Sequence, residues 1–164
     1  MVGMTAWLAS AAGTRAAGYG RTVCAEAVEP AVGEGSVARE LIECAKMYIG
    51  CRYRHGGTGP KSFDCSGFTR FIYGKYGKRL THSSRAQYGE GTKVDAGELR
   101  EGDLVFFAGR KGGKHINHVG IVTEVLQDGR FRFIHATFKK GVTIDLSSDE
   151  YYARRYVGAC RVLA

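Results

Sequence analysis

No stretch of the 164-residue chain approaches the ~18 consecutive apolar residues of a membrane-spanning helix, so the sequence predicts no transmembrane segment. Cysteine pairs at the C-x(2–4)-C spacing of structural zinc sites are missing too, and His115 and His118 stand without further ligands at a diagnostic distance, which argues against a bound metal. Gly56, Gly57 and Gly59 precede Lys61, but not in the order of a phosphate-binding loop, and no strand leads into them. Internal repeats are absent. Acidic residues are the scarce charge: 16 Asp and Glu face 24 Lys and Arg, for a net charge of +8. Such a surface suits polyanions in general, but the basic residues are scattered and no nucleic-acid motif accompanies them, so nucleic acid is not the expected partner. The remaining composition is ordinary. With 44% hydrophobic and 24% charged residues, the chain matches a globular domain and excludes collagen and coiled coil. Its length is that of one domain.

Against these absences, glycine is plentiful: 24 residues, about twice the usual ~7% share, which calls for many turns and close backbone approaches. Five cysteines, at 24, 44, 51, 65 and 160, cannot all pair within one chain, so at least one thiol stays free. Residues 1–35 are rich in Ala and Gly and open with an apolar run, and we read them as a signal-like or disordered leader. Residues 36–164 form the expected catalytic domain. They carry 22 basic and 13 acidic residues, or +9.

Within that domain, Val37, Leu41, Cys44, Ala45, Tyr48 and Ile49 recur at helical spacing behind Ser36, and Gly50 stops the run. Residues 52–63 read as a loop. A second helix is expected from Asp64, which can cap its first turn, with Phe68, Phe71, Ile72 and Tyr76 as the buried stripe. Residues 83–88 add one short turn. Strands are then expected over 104–108, 119–125, 130–136, 142–146 and 157–163, with Asp128-Gly129 as a hairpin turn. Helices precede strands. The class is therefore α+β, with helices packed on a mostly antiparallel sheet of five to six strands.

Cys65 occupies the position where chemistry is most expected. A thiol in the first turn of a helix feels the positive end of the macrodipole and unpaired N–H groups, which favour the thiolate and can also hold an oxyanion. Gly67 leaves room for a substrate to approach. A nucleophilic cysteine needs an imidazole to carry its proton and a third group to orient that imidazole. His118 and His135, on neighbouring strands, present themselves to one face of the hairpin. A simple turn at Asp128-Gly129 would, however, leave His135 four residues nearer the turn, ~13 Å along the strand. His55, His82 and His115 fall in loops and are set aside.

The segments Tyr53–Gly57, Phe63–Phe68, Ser83–Gln87, Leu99–Phe107, His118–Val122 and Phe133–Ala136 together resemble, in order and spacing, the NlpC/P60 family of bacterial cell-wall cysteine peptidases. The ending from Tyr151 to Leu163 resembles its small Spr-like murein endopeptidase branch. The resemblance implies a compact papain-like fold, with Cys65 as nucleophile, His118 as general base and acid, and His135 as the group orienting His118. It implies Tyr53 beside the nucleophile in an oxyanion or substrate role, and Asp64 and Ser66 as substrate contacts. It further implies peptidoglycan stem peptides as substrate, a monomer at the cell envelope, whether periplasmic or extracellular, and neither metal nor organic cofactor. The D-Ala to diaminopimelate cross-link is the favoured bond, with γ-D-Glu to diaminopimelate cleavage, amidase or acyltransferase chemistry, and a non-catalytic wall-binding module as the alternatives. Cys51 departs from the pattern and is expected to be able to form an inactivating disulfide with Cys65 on oxidation.

Overall fold

A computed structural model describes residues 34–163. The expected leader lies outside the described residues except for its last two, which already belong to the first helix. That helix, α1 (Glu34–Lys46), starts two residues before Ser36 and ends four before Gly50, the remainder winding out through turns. Its buried stripe is Ala38, Leu41, Ile42, Cys44 and Ala45, while Val37 and Ile49 are exposed. The expected stripe was therefore rotated at both ends, because a small alanine, and not Val37, meets the neighbouring layer.

Residues 52–63, read as a loop, contain a short parallel pair, β1 (Arg52–Tyr53) and β2 (Ser62–Phe63). Phe63 is fully buried and packs on Phe68, Phe71 and Tyr48. This aromatic anchor fixes where the next helix, α2 (Cys65–Lys75), begins. Asp64 is its N-cap: the carboxylate Oδ1 accepts from the Gly67 amide at 2.7 Å, satisfying one of the free first-turn donors. Phe68 and Ile72 are buried as expected, joined by Thr69 and Tyr73. Phe71 and Tyr76 are only half-buried. Ser83 likewise caps the single turn α3 (Ser84–Gln87).

The sheet has six antiparallel strands. They are β3 (Thr92–Val94), β4 (Leu104–Ala108), β5 (Ile116–Val125), β6 (Phe131–Thr137), β7 (Gly141–Leu146) and β8 (Tyr156–Arg161), in spatial order β3-β8-β4-β5-β6-β7. Strand β3 and the turn α4 (Glu150–Ala153) have no counterpart in the sequence reading, since neither carries an apolar run long enough to register. Every residue of β4 is buried, because both faces of the sheet are covered. Leu104 and Phe106 join Leu41, Phe63, Phe68, Ile72 and Tyr73 beneath the helices. Val105 and Phe107 join Val122, Phe131, Phe133 and Tyr152 on the opposite face. Fully burying one such side chain contributes about 1.5–3 kcal/mol, so both layers are stabilised by several. Among the described residues no helix is long and apolar enough to cross a membrane.

Candidate active site

Cys65 is buried at the start of α2 and its thiol donates to the Asn117 carbonyl at 3.8 Å. Asn117 is the extra residue of a β-bulge: Ala108 of β4 pairs with Ile116, Phe107 pairs with His118, and nothing faces Asn117. A bulge takes a residue out of the ladder and re-aims its groups, and here the freed carbonyl meets the sulfur. The backbone amides of Val119, Ser66 and Cys65 itself also favour the thiolate. The sulfur is thus bracketed by the main chain on both sides of His118.

The helix-start amides favour the thiolate as expected, but burial opposes them. Burial, reinforced by the Asp64 carboxylate, pushes Cys65 up to about 11, and the helix-start amides offset only part of this. His118 moves the other way, down to about 3, through burial and the neighbouring His135. Both shifts favour a thiol and a neutral imidazole over a thiolate–imidazolium pair.

His118 Nε2 and His135 Nδ1 lie 2.7 Å apart. The hairpin register explains how the 13 Å gap closes. Ile121 pairs with Ile134 and Val122 with Phe133, while beyond a bulge Glu124 pairs with Arg132. This pairing brings Gly120 opposite His135, so the two histidines are separated by two positions, a diagonal within side-chain reach. Gly120 makes the approach possible: a Cβ there would lie 2.7 Å from the Phe133 ring and 3.2 Å from His135 Cβ. Around the imidazoles sit Phe133, 4.5 Å from His135 between ring centres, and Tyr152, stacked on His118 and edge-on to His135. These rings are the physical cause of the desolvation.

Residues 50–161 match the NlpC/P60 family model. The chain belongs to the NlpC/P60 family. It is 38% identical over 126 residues to a probable endopeptidase NlpC homolog of Haemophilus influenzae, covering 76% of this chain and 63% of that one. It is 39% identical over 116 residues to the murein DD-endopeptidase MepS/murein LD-carboxypeptidase of Escherichia coli, covering 70% and 57%. Against the solved structure of an NlpC/P60 family protein from Bacillus cereus the TM-score is 0.71 at 36% identity, over 77% of this chain and 40% of that one. The chain thus spans less than two thirds of each of these relatives. The six-stranded antiparallel sheet with its helices is the NlpC/P60 fold, in agreement with the α+β expectation.

Within this NlpC/P60 domain, the other expected residues also gather near the sulfur. The Tyr53 hydroxyl is held up from its ordinary value by burial and then by the charges of Cys65 and Asp64, and its ring meets Phe138 edge-on at 6.0 Å. Asp64 is occupied internally: Oδ2 accepts from the Gly56 amide at 2.8 Å, Oδ1 from Gly67 and from the Ser66 hydroxyl at 3.2 Å, and His82 Nε2 lies within 2.9 Å of both oxygens. Gly67 leaves room for the chain's own backbone and not for a substrate, since a Cβ would fall 2.0 Å from the Gly57 carbonyl oxygen.

Two participants were missed by sequence reasoning. His82, set aside as a loop residue, bonds Asp64, and only its nearness in space to α2 could have revealed it. Asp145 of β7 accepts from His135 Nε2 at 3.2 Å, Lys140 Nζ at 2.9 Å and the Tyr152 hydroxyl at 3.1 Å. In sequence it reads as the polar residue of an alternating strand. His115 lies beside Arg85 on the exposed surface. Cys51, Cys65 and Cys160 are free thiols, and Cys51 faces the Pro60 carbonyl at 3.8 Å while Cys65 faces Asn117. Among the described residues, no group of three or more His, Cys, Asp and Glu is placed to hold a metal ion.

Proposed function

We propose that this protein is a peptidoglycan hydrolase that cuts peptide bonds through a Cys65 thioester. The observation that carries the reading is the placement of a buried thiol against the two main-chain neighbours of His118, whose far nitrogen is tied to His135. Membership of the NlpC/P60 family and the endopeptidase names of its relatives support it.

Because the resting pair is neutral, proton transfer accompanies attack. His118 takes the thiol proton as Cys65 Sγ bonds to the carbonyl carbon, and the imidazolium is held by its hydrogen bond to His135. The C–N bond then breaks as His118 returns the proton to the leaving amine. Water, deprotonated by the same imidazole, opens the thioester and frees the acid and the thiol. Tyr53 donates to the oxyanion together with the first amides of α2. Asp64 and Ser66 hold the 54–57 loop against the helix start and so shape the floor on which the stem peptide lies. Neither metal nor organic cofactor takes part. The enzyme acts as a monomer at the cell envelope, and the +8 charge favours a wall rich in carboxylate and phosphate.

The D-Ala to diaminopimelate cross-link is the favoured bond, in keeping with the similarity to a murein DD-endopeptidase. A second reading, cleavage after γ-D-Glu, is favoured by 36% identity over 127 residues to a γ-D-glutamyl-L-lysine dipeptidyl-peptidase of Bacillus cereus, of which the chain covers 37%. Digestion of purified muropeptides with mass identification of the products separates the two. Cys65→Ala should abolish product release, a loss of roughly 10³-fold or more, whereas Cys160→Ser should leave it within a few-fold. Retained hydrolysis in the Cys65 variant would refute the proposal.

A further inference from the structure

We infer that Asp145 is a positioning residue that sets the proton arrangement of the whole site, acting on His118 through His135. The inference rests on the Cys65–His118 reading and extends it by one member. An ionised carboxylate can only accept hydrogen bonds. The Asp145 carboxyl is held well below its usual range, first by His135 and then by Lys140 and Tyr152. His135 Nε2, 3.2 Å from Asp145 Oδ2, must therefore carry a proton.

His135 is fully buried, and that burial outweighs the contrary pull of Asp145, which favours a single ring proton. With the proton on Nε2, its Nδ1 is a bare acceptor. The group 2.7 Å away, His118 Nε2, must then be the donor. His118 is neutral as well, which leaves its Nδ1 without a proton. That is the tautomer a general base requires, and the opposite tautomer would offer Cys65 a second proton in place of a lone pair. One largely buried carboxylate thus decides, two imidazoles away, which nitrogen is basic.

The anchorage of Asp145 is consistent with this role. Its carboxylate is fixed from three directions: His135 on β6, Lys140 in the turn between β6 and β7, and Tyr152 on α4. Asp145 stands opposite Phe133 in the ladder, and His135 opposite Thr143, so the contact is a diagonal across β6 and β7 that a one-residue slip would abolish. Tyr152 also stacks on His118, tying both ends of the chain to one ring.

The test is imidazole nitrogen-15 NMR on the labelled full chain at neutral pH, with steady-state kinetics on muropeptides. The wild-type protein should show His118 and His135 both protonated at Nε2 alone. Asp145→Ala should give mixed tautomers at both rings and lower kcat roughly tenfold or more with KM within about twofold. Asp145→Asn, whose amide oxygen still accepts, should keep the Nε2–H forms and recover part of kcat. A proton on His135 Nδ1 in the wild type overturns the inference without any variant. So does a folded Asp145→Ala with wild-type kcat and unchanged tautomers. The tautomers are read whether or not the protein is active. Failure of the functional reading, seen as hydrolysis by Cys65→Ala, is therefore distinct from failure of this one.

Discussion

The Cys65 half of the candidate site and the His118 half are built by different physics. Around Cys65 the contacts are mostly local: Asp64 caps Gly67 three residues on, and Gly56 and Gly57 return from the preceding loop. Around His118 every polar contact crosses strands, to His135 seventeen residues away and from there to Asp145. A local half survives small errors of tertiary packing, because it is organised by a cap and a turn. The long-range half depends on a bulge at Asn117, a second in the β5–β6 pairing and an empty side-chain position at Gly120. Activity needs both, but stability need not respond to them equally.

The largest effect should come from breaking the local half at Gly67. Alanine is the better helix former by about 1 kcal/mol, yet its Cβ would meet the Gly57 carbonyl oxygen at 2.0 Å. Backbone meets the new atom, so the clash wins. Gly67→Ala should lower unfolding free energy by roughly 3 kcal/mol, at the upper end for overpacking, with denaturant melts as the measure. It should also abolish turnover. An unchanged midpoint would mean that the 54–57 loop is not pinned to α2.

Next comes the long-range half. Gly120→Ala places a methyl 2.7 Å from the Phe133 ring, its hardest clash, 3.1 Å from the Ile134 carbonyl oxygen and 3.2 Å from His135 Cβ. A ring can tilt where a carbonyl cannot, so destabilisation should be milder, roughly 1–2 kcal/mol. Catalysis should suffer more than stability, with kcat falling roughly 10- to 100-fold as the two imidazoles part. Equal retention of kcat and stability would show that the histidine spacing is set elsewhere.

The smallest effect, and the finest probe of the boundary between the halves, is a pH profile of alkylation. A thiol raised to about 11 by burial and by Asp64 exposes little thiolate at neutral pH. Iodoacetamide labelling of Cys65, followed by peptide mass, should therefore climb with pH through 10 without a plateau. Helix-start activation alone would instead flatten the curve near neutrality. Acid works on the other half. His118 and His135 are held neutral below their ordinary value, and Asp145 is held ionised below its own. For all three the unfolded chain binds protons first. Stability is thus fully present above about pH 6.5 and falls as the pH drops, from the histidines first and from Asp145 below about pH 4.

The same division explains what could be read without coordinates. Asp64, Cys65 and the end of the loop were legible, because a cap and its helix are written within four residues. Strand β4 was legible to the residue, because burial on both faces leaves an uninterrupted apolar run. The face shared by His118 and His135 was legible from parity, but their distance was not. A bulge adds one residue without a compositional signature, and together with a turn one residue longer than the plain one it moved His135 two positions closer. Asp145 was illegible for a related reason: it has a role only once β7 has its register against β6. Gly67 was noticed but misassigned, since sequence reveals that a side chain is absent and not which neighbour takes the space.

The bulge at Asn117 and the ladder beyond it also bear on the order in which the parts of the site are synthesised. About 80 residues separate Cys65 from Asp145 along the chain, and synthesis delivers them in that sequence. A growing chain that has completed only α2 holds Cys65 but not yet His118, His135 or Asp145, to which the proposed base, orienting and positioning roles fall. On the proposed roles, a chain that ends before β7 would hold the thiol without the full set of groups that direct its proton.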